Sequence, residues 1–268
     1  AHNESLVNDE TLGTIGTTRA EPGHPVVQIF GYVHDRLFTE DDFKDVENGV
    51  LKDGVPKQTF TAKVRPGDIK YVDLDKNGFI DTYDQMAIGG TENPEIVYGF
   101  GVNLRWKELD FGAMFQGIGR TWRILSSNIM PASNKGSMYN IFDNYQDRWT
   151  VDNQSQDVFY PRADYGPNAN NSQKSTWWLR NMSFLRLKNL ELGYSCPKKW
   201  LQGFVISNAR VFVRGTNLLT FSKFNLWDPE LATGDGAKYP PMKSVSVGCD
   251  LTCKHTYDMK TTIITYIL

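Results

Sequence analysis

Apolar and polar positions alternate strictly along EIVYGFGVNLRW, Glu95–Trp106. Ile96, Tyr98, Phe100, Val102, Leu104 and Trp106 share one parity. Val97, Gly99, Gly101, Asn103 and Arg105 share the other. Successive side chains on a strand point to opposite faces, so this run predicts a strand with one wholly apolar face. After a short turn near Lys107 the alternation resumes, with Leu109, Phe111, Ala113 and Phe115 against Asp110, Gly112, Met114 and Gln116. Together the two runs predict a hairpin. A second cluster starts at Phe184. Leu185 and Leu187 have one parity and Leu190, Leu192 and Tyr194 the other, which predicts a β-bulge near Lys188. Val211 and Val213 mark the next strand, and Val245, Val247, Cys249, Leu251 and Cys253 the last. A weaker strand is predicted over His24–Val33, making six.

These runs reach roughly 10–12 residues, against about 5–6 for an ordinary strand and about 9–11 for one crossing a bilayer at a tilt. Their connections alternate in length. The turns near Lys107 and Lys198–Ser207 are short, whereas segments 34–94, 125–183 and 222–241 are long and rich in Gly, Asn, Asp and Pro. Short turns at one end and long loops at the other predict an all-β, antiparallel transmembrane β-barrel segment with long extracellular loops. The competing expectation is a secreted, soluble β-sandwich whose apolar face meets a second sheet.

Composition removes other classes. The net charge of −2 offers no electrostatic case for nucleic acid. No run of 18 apolar residues predicts a transmembrane helix. No leader is visible in residues 1–20, so either one was removed or the chain is a fragment. The three cysteines have no metal or disulfide spacing, and the four histidines are scattered. No phosphate loop or nucleophile elbow appears, so no enzyme is expected.

One motif does carry chemistry. In YVDLDKNGFIDTYD, Tyr71–Asp84, the residues Asp73, Asp75, Asn77, Phe79, Asp81 and Asp84 fall at the ligand positions of a twelve-residue calcium loop, with Gly78 at its sharp turn. Phe79 would contribute its backbone carbonyl, and Asp84 stands where a bidentate Glu is usual. The expected ion is calcium in a structural role, pinning a long loop. The bland alternative is a solvated Asx-rich turn.

Several phrases, in order, resemble the SusC/RagA family of TonB-dependent outer-membrane transporters. They are GHPVVQIFGYVHDRLFTEDDF, RPGDIKYVDLDKNGFIDTYDQMAIGGTENPEIVYGFGVNLRWKELDFGAMFQGIGR, FLRLKNLELGYSCPKKW, RVFVRGTNLLTFSKFNLWDPE and YPPMKSVSVGCDLT. The resemblance covers about residues 20–253. It implies about the last six strands of a barrel of about 22, and TonB-dependent import of oligosaccharides or peptides across a bacterial outer membrane of Bacteroidetes. It also implies a SusD-like lipoprotein lid, outer-membrane lipid around the wall, and a TonB contact through an N-terminal part absent here. Residues 1–253 then form the C-terminal part of the barrel. Residues 254–268 are an atypical extension, since the family's terminal Phe is replaced by Cys253. They are read as a frameshift, read-through or cloning product, with a native extension as the alternative. Trp177 and Trp178 are candidates to stack on substrate sugars, with an interfacial or packing role as the plainer expectation. Trp106, Trp122 and Tyr194 fit an interfacial aromatic belt. If the sandwich holds instead, the chain is a glycan-binding module with a calcium-stabilised loop.

Overall fold

The computed structural model describes residues 18–19, 23–25, 27–125, 143–164, 168–203 and 205–253. The extension 254–268 lies outside them. All regular elements among the described residues are strands and short 3-10 turns. The chain divides into two compact units. One, the loop unit, takes residues up to Pro94, Arg120–Asn181 and Ala232–Ala237. The other, the sheet unit, takes Glu95–Gly119, Met182–Leu231 and the residues from Lys238 on.

The sheet unit is an antiparallel five-stranded meander. Its strands are β1 (Ile96–Trp106), β2 (Leu109–Gly119), β3 (Phe184–Ser195), β4 (Ile206–Ser222) and β5 (Ser244–Cys253), neighbours in chain order. β1 and β2 pair without interruption from Ile96↔Gly119 to Trp106↔Leu109. Lys107 takes φ 53° in the tight turn between them. The predicted bulge sits at Lys188, where the register of β3 shifts against both β2 and β4. It flips the parity of β3, so that Leu185, Leu187, Leu190 and Leu192 all lie on the face that carries Phe111, Phe115 and Val213.

That apolar face is open. Ile96, Tyr98, Phe100, Val102, Leu104 and Trp106 are 46, 39, 52, 45, 60 and 68% exposed. A sandwich would have buried them beneath a second sheet, so the sandwich expectation fails here. β1 and β5 each have one strand neighbour. In lipid, unpaired strand edges leave backbone groups unsatisfied, so a sheet of this kind needs further strands to close.

The predicted strand over His24–Val33 is not a sixth member. Its strand, Gln28–Tyr32, belongs to the loop unit and pairs with Thr18–Arg19 and Gln85–Thr91, all five of its residues buried. The physical reason is legible afterwards: QIFGY carries a nearly continuous apolar run, which fits a strand covered on both faces better than a lipid-facing one.

The loop unit is built from short strand pairs around an aromatic core that includes Phe30, Tyr32, Phe38, Tyr71, Tyr160 and Trp178. A buried polar knot ties segment 65–71 to segment 162–171. Asp68 is fully buried. It accepts from the Arg65 backbone N–H at 2.8 Å, Arg162 Nε at 3.2 Å, Asn168 Nδ2 at 3.0 Å and Asn171 Nδ2 at 2.9 Å. Burial raises its carboxyl above the usual range, against the opposing pull of the Arg162 guanidinium and the amides. Asn171 Oδ1 in turn accepts the Ile69 N–H at 2.9 Å, Asn170 Nδ2 donates to the Ile69 carbonyl at 2.7 Å, and Tyr71 donates to the Asn170 carbonyl at 2.7 Å. The asparagines supply to segment 68–71 the bonds that a neighbouring strand would otherwise supply.

Candidate functional site

The face of the sheet opposite the apolar stripe is polar. Near its short-turn end it carries a cross-strand charge ladder. Arg210 on β4 reaches Asp110 on β2, Glu191 on β3 at 2.6 Å and Asp250 on β5 at 3.2 Å. Arg214 holds the other Glu191 oxygen at 2.6 Å. Phe212 lies between the two guanidinium groups, 5.1 and 5.2 Å from them. Asp110 and Arg210 are separated by β3, where the intervening residue is Gly193. A Cβ at Gly193 would collide with both of their head groups. The missing side chain is therefore what lets the pair meet across a strand. None of these residues was singled out from the sequence. Their parity was readable, but their meeting depends on strand register.

Neutral polar groups continue the same face. Asn189, Thr216 and Ser244 stand in register across β3, β4 and β5, and Asn103 and Gln116 lie on β1 and β2. Glycines Gly99, Gly101 and Gly112 leave the β1–β2 part of this wall low, beside a cavity of about 690 Å³ that Asn103, Arg105, Asp110, Asn189 and Glu191 also line. Charged and amide groups on one face with aliphatic and aromatic groups on the other suit a wall between water and lipid. Trp106 and Tyr194 lie on the apolar face, Trp106 at the Lys107 turn and Tyr194 one residue from the end of β3. Trp122 does not belong with them. It sits in the loop unit, paired through Asn181 and packed over Gly89.

The acidic loop lies in the loop unit. Asp73, Asp75 and Asp84 converge, each with a carboxylate oxygen within 4.8 Å of the other two. Lys76 and Gly78 both take positive φ, 60° and 87°, which turns the chain sharply. Asp84 is fully buried and accepts the Leu74 N–H at 2.7 Å and the Asp81 N–H at 2.8 Å. Asp73 Oδ2 accepts the Gly78 N–H at 2.9 Å, while its Oδ1 is buried without a hydrogen-bond partner. Three converging carboxylates repel one another, and a buried orphan oxygen is costly. A hard cation with oxygen ligands relieves both, so the donor set fits calcium. The other expected ligands take part in the same turn. Asn77 Oδ1 accepts the Phe79 N–H at 2.7 Å, and Asp81 caps the turn Thr82–Asp84 by accepting the Tyr83 N–H at 2.8 Å. Phe79 pairs with Lys57 in a two-residue parallel ladder.

Trp177 and Trp178 are not a sugar platform. They are 8 and 1% exposed. Trp177 donates its indole N–H to the Phe159 carbonyl at 3.2 Å and meets the His34 ring edge-to-face, and Trp178 donates to the Asn171 carbonyl at 2.8 Å. Phe159 and Tyr160 lie against Trp178. Both indoles serve the core of the loop unit, which leaves neither ring an open face for a pyranose.

No family model matches the chain. Among known proteins it is 30% identical over 262 residues to TonB-dependent receptor P26 of Formosa agariphila, covering 92% of this chain and 24% of that protein. It is 24% identical over 203 residues to TonB-dependent receptor SusC of Bacteroides thetaiotaomicron, covering 74 and 19%. Its fold matches the solved RagAB peptide importer in the open-open state with TM-score 0.63 and 26% identity, covering 88% of this chain and 23% of that one. The chain thus spans about a quarter or less of the length of these relatives. The matched sequences and the five-stranded wall agree, and the chain is SusC/RagA-like, corresponding to one portion of these TonB-dependent receptors.

Proposed function

We propose that the chain forms part of the barrel wall of an outer-membrane importer, driven through TonB, that takes up oligosaccharides or peptides beneath a SusD-like lipoprotein lid. The observation that carries this reading is the exposed apolar stripe of β1, continued on β2 to β5, backed by a charged and amide-bearing face. Import across the outer membrane in general is supported by the TonB-dependent relatives. The oligosaccharide or peptide cargo and the lid are this proposal's own. The test is deletion of the locus in its host, followed by uptake of labelled oligosaccharide and peptide mixtures. Loss of energised uptake of one mixture is expected, with the protein in the outer-membrane fraction. Unchanged uptake of both, with the protein in the soluble fraction, would sink the reading.

In the same reading calcium holds the Asp73–Asp84 loop. Ordering a residue costs about 1–2 kcal/mol, and an ion at 100 times its dissociation constant returns about 2.7 kcal/mol. Calcium is therefore expected to raise the thermal midpoint relative to chelator. Asp75→Asn is the clean variant, because Asp75 is exposed and its carboxylate bonds its loop neighbour Asn77. It should abolish the calcium-dependent shift without lowering the midpoint in chelator, since it also removes one of three mutually repelling carboxylates. Equal midpoints of the native chain in calcium and in chelator would refute the site.

A further inference from the structure

Arg186 is the most deeply buried charged side chain of the sheet unit among the described residues, 1% exposed. It nevertheless lies on the polar face, in register with Gln116 of β2 and Thr220 of β4. Arg105 and Arg214, on the same face, are exposed. Something must therefore cover Arg186, and the ion pairs identify it. Its guanidinium binds Asp228, and binds Glu230 at 3.0 Å. Lys188 at the bulge adds a second hold on Glu230 at 2.7 Å. The covering segment has internal order. Asp228 Oδ1 accepts the Glu230 N–H at 3.0 Å, Pro229–Leu231 forms a 3-10 turn, and Phe224 packs edge-to-face on Trp227 with ring centres 4.9 Å apart. Phe224, Pro229 and Leu231 are buried. Its start is pinned where the Phe224 N–H donates to Ser222 Oγ, which itself donates to the Ser183 carbonyl at 2.8 Å.

We infer that Phe224–Leu231 is a strap folded back over the polar face, that Arg186 is the positioning residue that fastens it, and that the strap constricts the solute path. The constriction rests on the transport reading above; the fastening does not. A connection between the long strands β4 and β5 that simply projected away from the sheet would leave Arg186 in water. Here the guanidinium is removed from solvent and matched by two carboxylates, a geometry that holds only while both partners stay. The seam also keeps two buried N–H donors with no protein acceptor, Arg186 Nε and Trp227 Nε1.

The test is a distance measurement on the full-length protein purified in detergent, with native cysteines replaced by serine and spin labels on Leu226→Cys in the strap and Asn103→Cys on the polar face. The native seam should give one narrow distance distribution. Arg186→Leu should at least double its width while the β-sheet circular dichroism is unchanged, and Arg186→Lys should recover part of the narrow population. Should Arg186→Leu fail to fold, the pair Asp228→Asn with Glu230→Gln keeps Arg186 and should broaden the distribution in the same way. A distribution as narrow as the native one in a folded variant overturns the strap. Failure of the transport reading would appear separately, as absence from the outer-membrane fraction with the distance result intact.

Discussion

Asp68→Ala is expected to cost about 3–5 kcal/mol, the scale for removing one partner of a buried ion pair. The substitution leaves Arg162 with only Asp164 as an anionic partner, and it leaves the amide N–H groups of Asn168 and Asn171 only longer bonds of 3.4 Å, to Asp164 and to the Arg162 carbonyl. Each of those groups lies on segment 162–171, so the damage falls on the knot that ties this segment to 65–71. Asp68→Asn should cost clearly less. An amide oxygen still accepts from the groups that converge on Asp68, so part of the knot survives. Denaturant titration measures both losses. Limited proteolysis should show first cleavage within 162–171 in the alanine variant. A loss below about 1 kcal/mol for Asp68→Ala would mean that the knot is ornamental.

Val102→Arg should cost about 2–4 kcal/mol when the protein folds into a bilayer, the scale for a guanidinium at the midplane of a lipid-facing barrel surface. Val102 is the seventh of the eleven residues of β1, near its middle, and it is 45% exposed with apolar neighbours Phe100, Leu104 and Ala113. Asn103→Arg, one residue along, should be nearly neutral, because that side chain enters the polar face beside Gly112. The contrast between adjacent positions matters more than either value. A soluble surface would tolerate both changes, and a protein core would reject Val102→Arg equally in detergent and in water. Reversible folding into lipid vesicles from urea gives both numbers.

The sheet was legible because its information is local. Period-two alternation marked all five strands, and the clash of parity between Leu187 and Leu190 placed the bulge at Lys188 before any pairing was known. The loop unit was not legible, because its strands are two to seven residues long and its core is assembled from distant segments. For Trp177 and Trp178 the sequence left sugar stacking open beside the plainer interfacial or packing role, and it is packing that the structure shows. Their burial depends on Phe159 and Asn171, and nothing in the spacing ties those residues together. The acidic loop was half legible. Its spacing identified Asp73, Asp75 and Asp84, which converge, but not the web of backbone N–H bonds that Asp73, Asp75, Asn77, Asp81 and Asp84 accept within the turn. The pairing of Asp228 with Arg186 was not legible, because the two lie 42 residues apart in sequence.

The central claim is that β1 has one side in lipid and the other in water. It is tested most directly by placing a single environment-sensitive fluorophore in turn at each position from Ile96 to Trp106 and titrating a lipid-confined quencher in vesicles. The account predicts strong quenching at 96, 98, 100, 102 and 104, weak quenching at 97, 99, 101, 103 and 105, and intermediate quenching at 106 near the turn. Uniformly weak quenching along the strand, or quenching without the two-residue period, would contradict it.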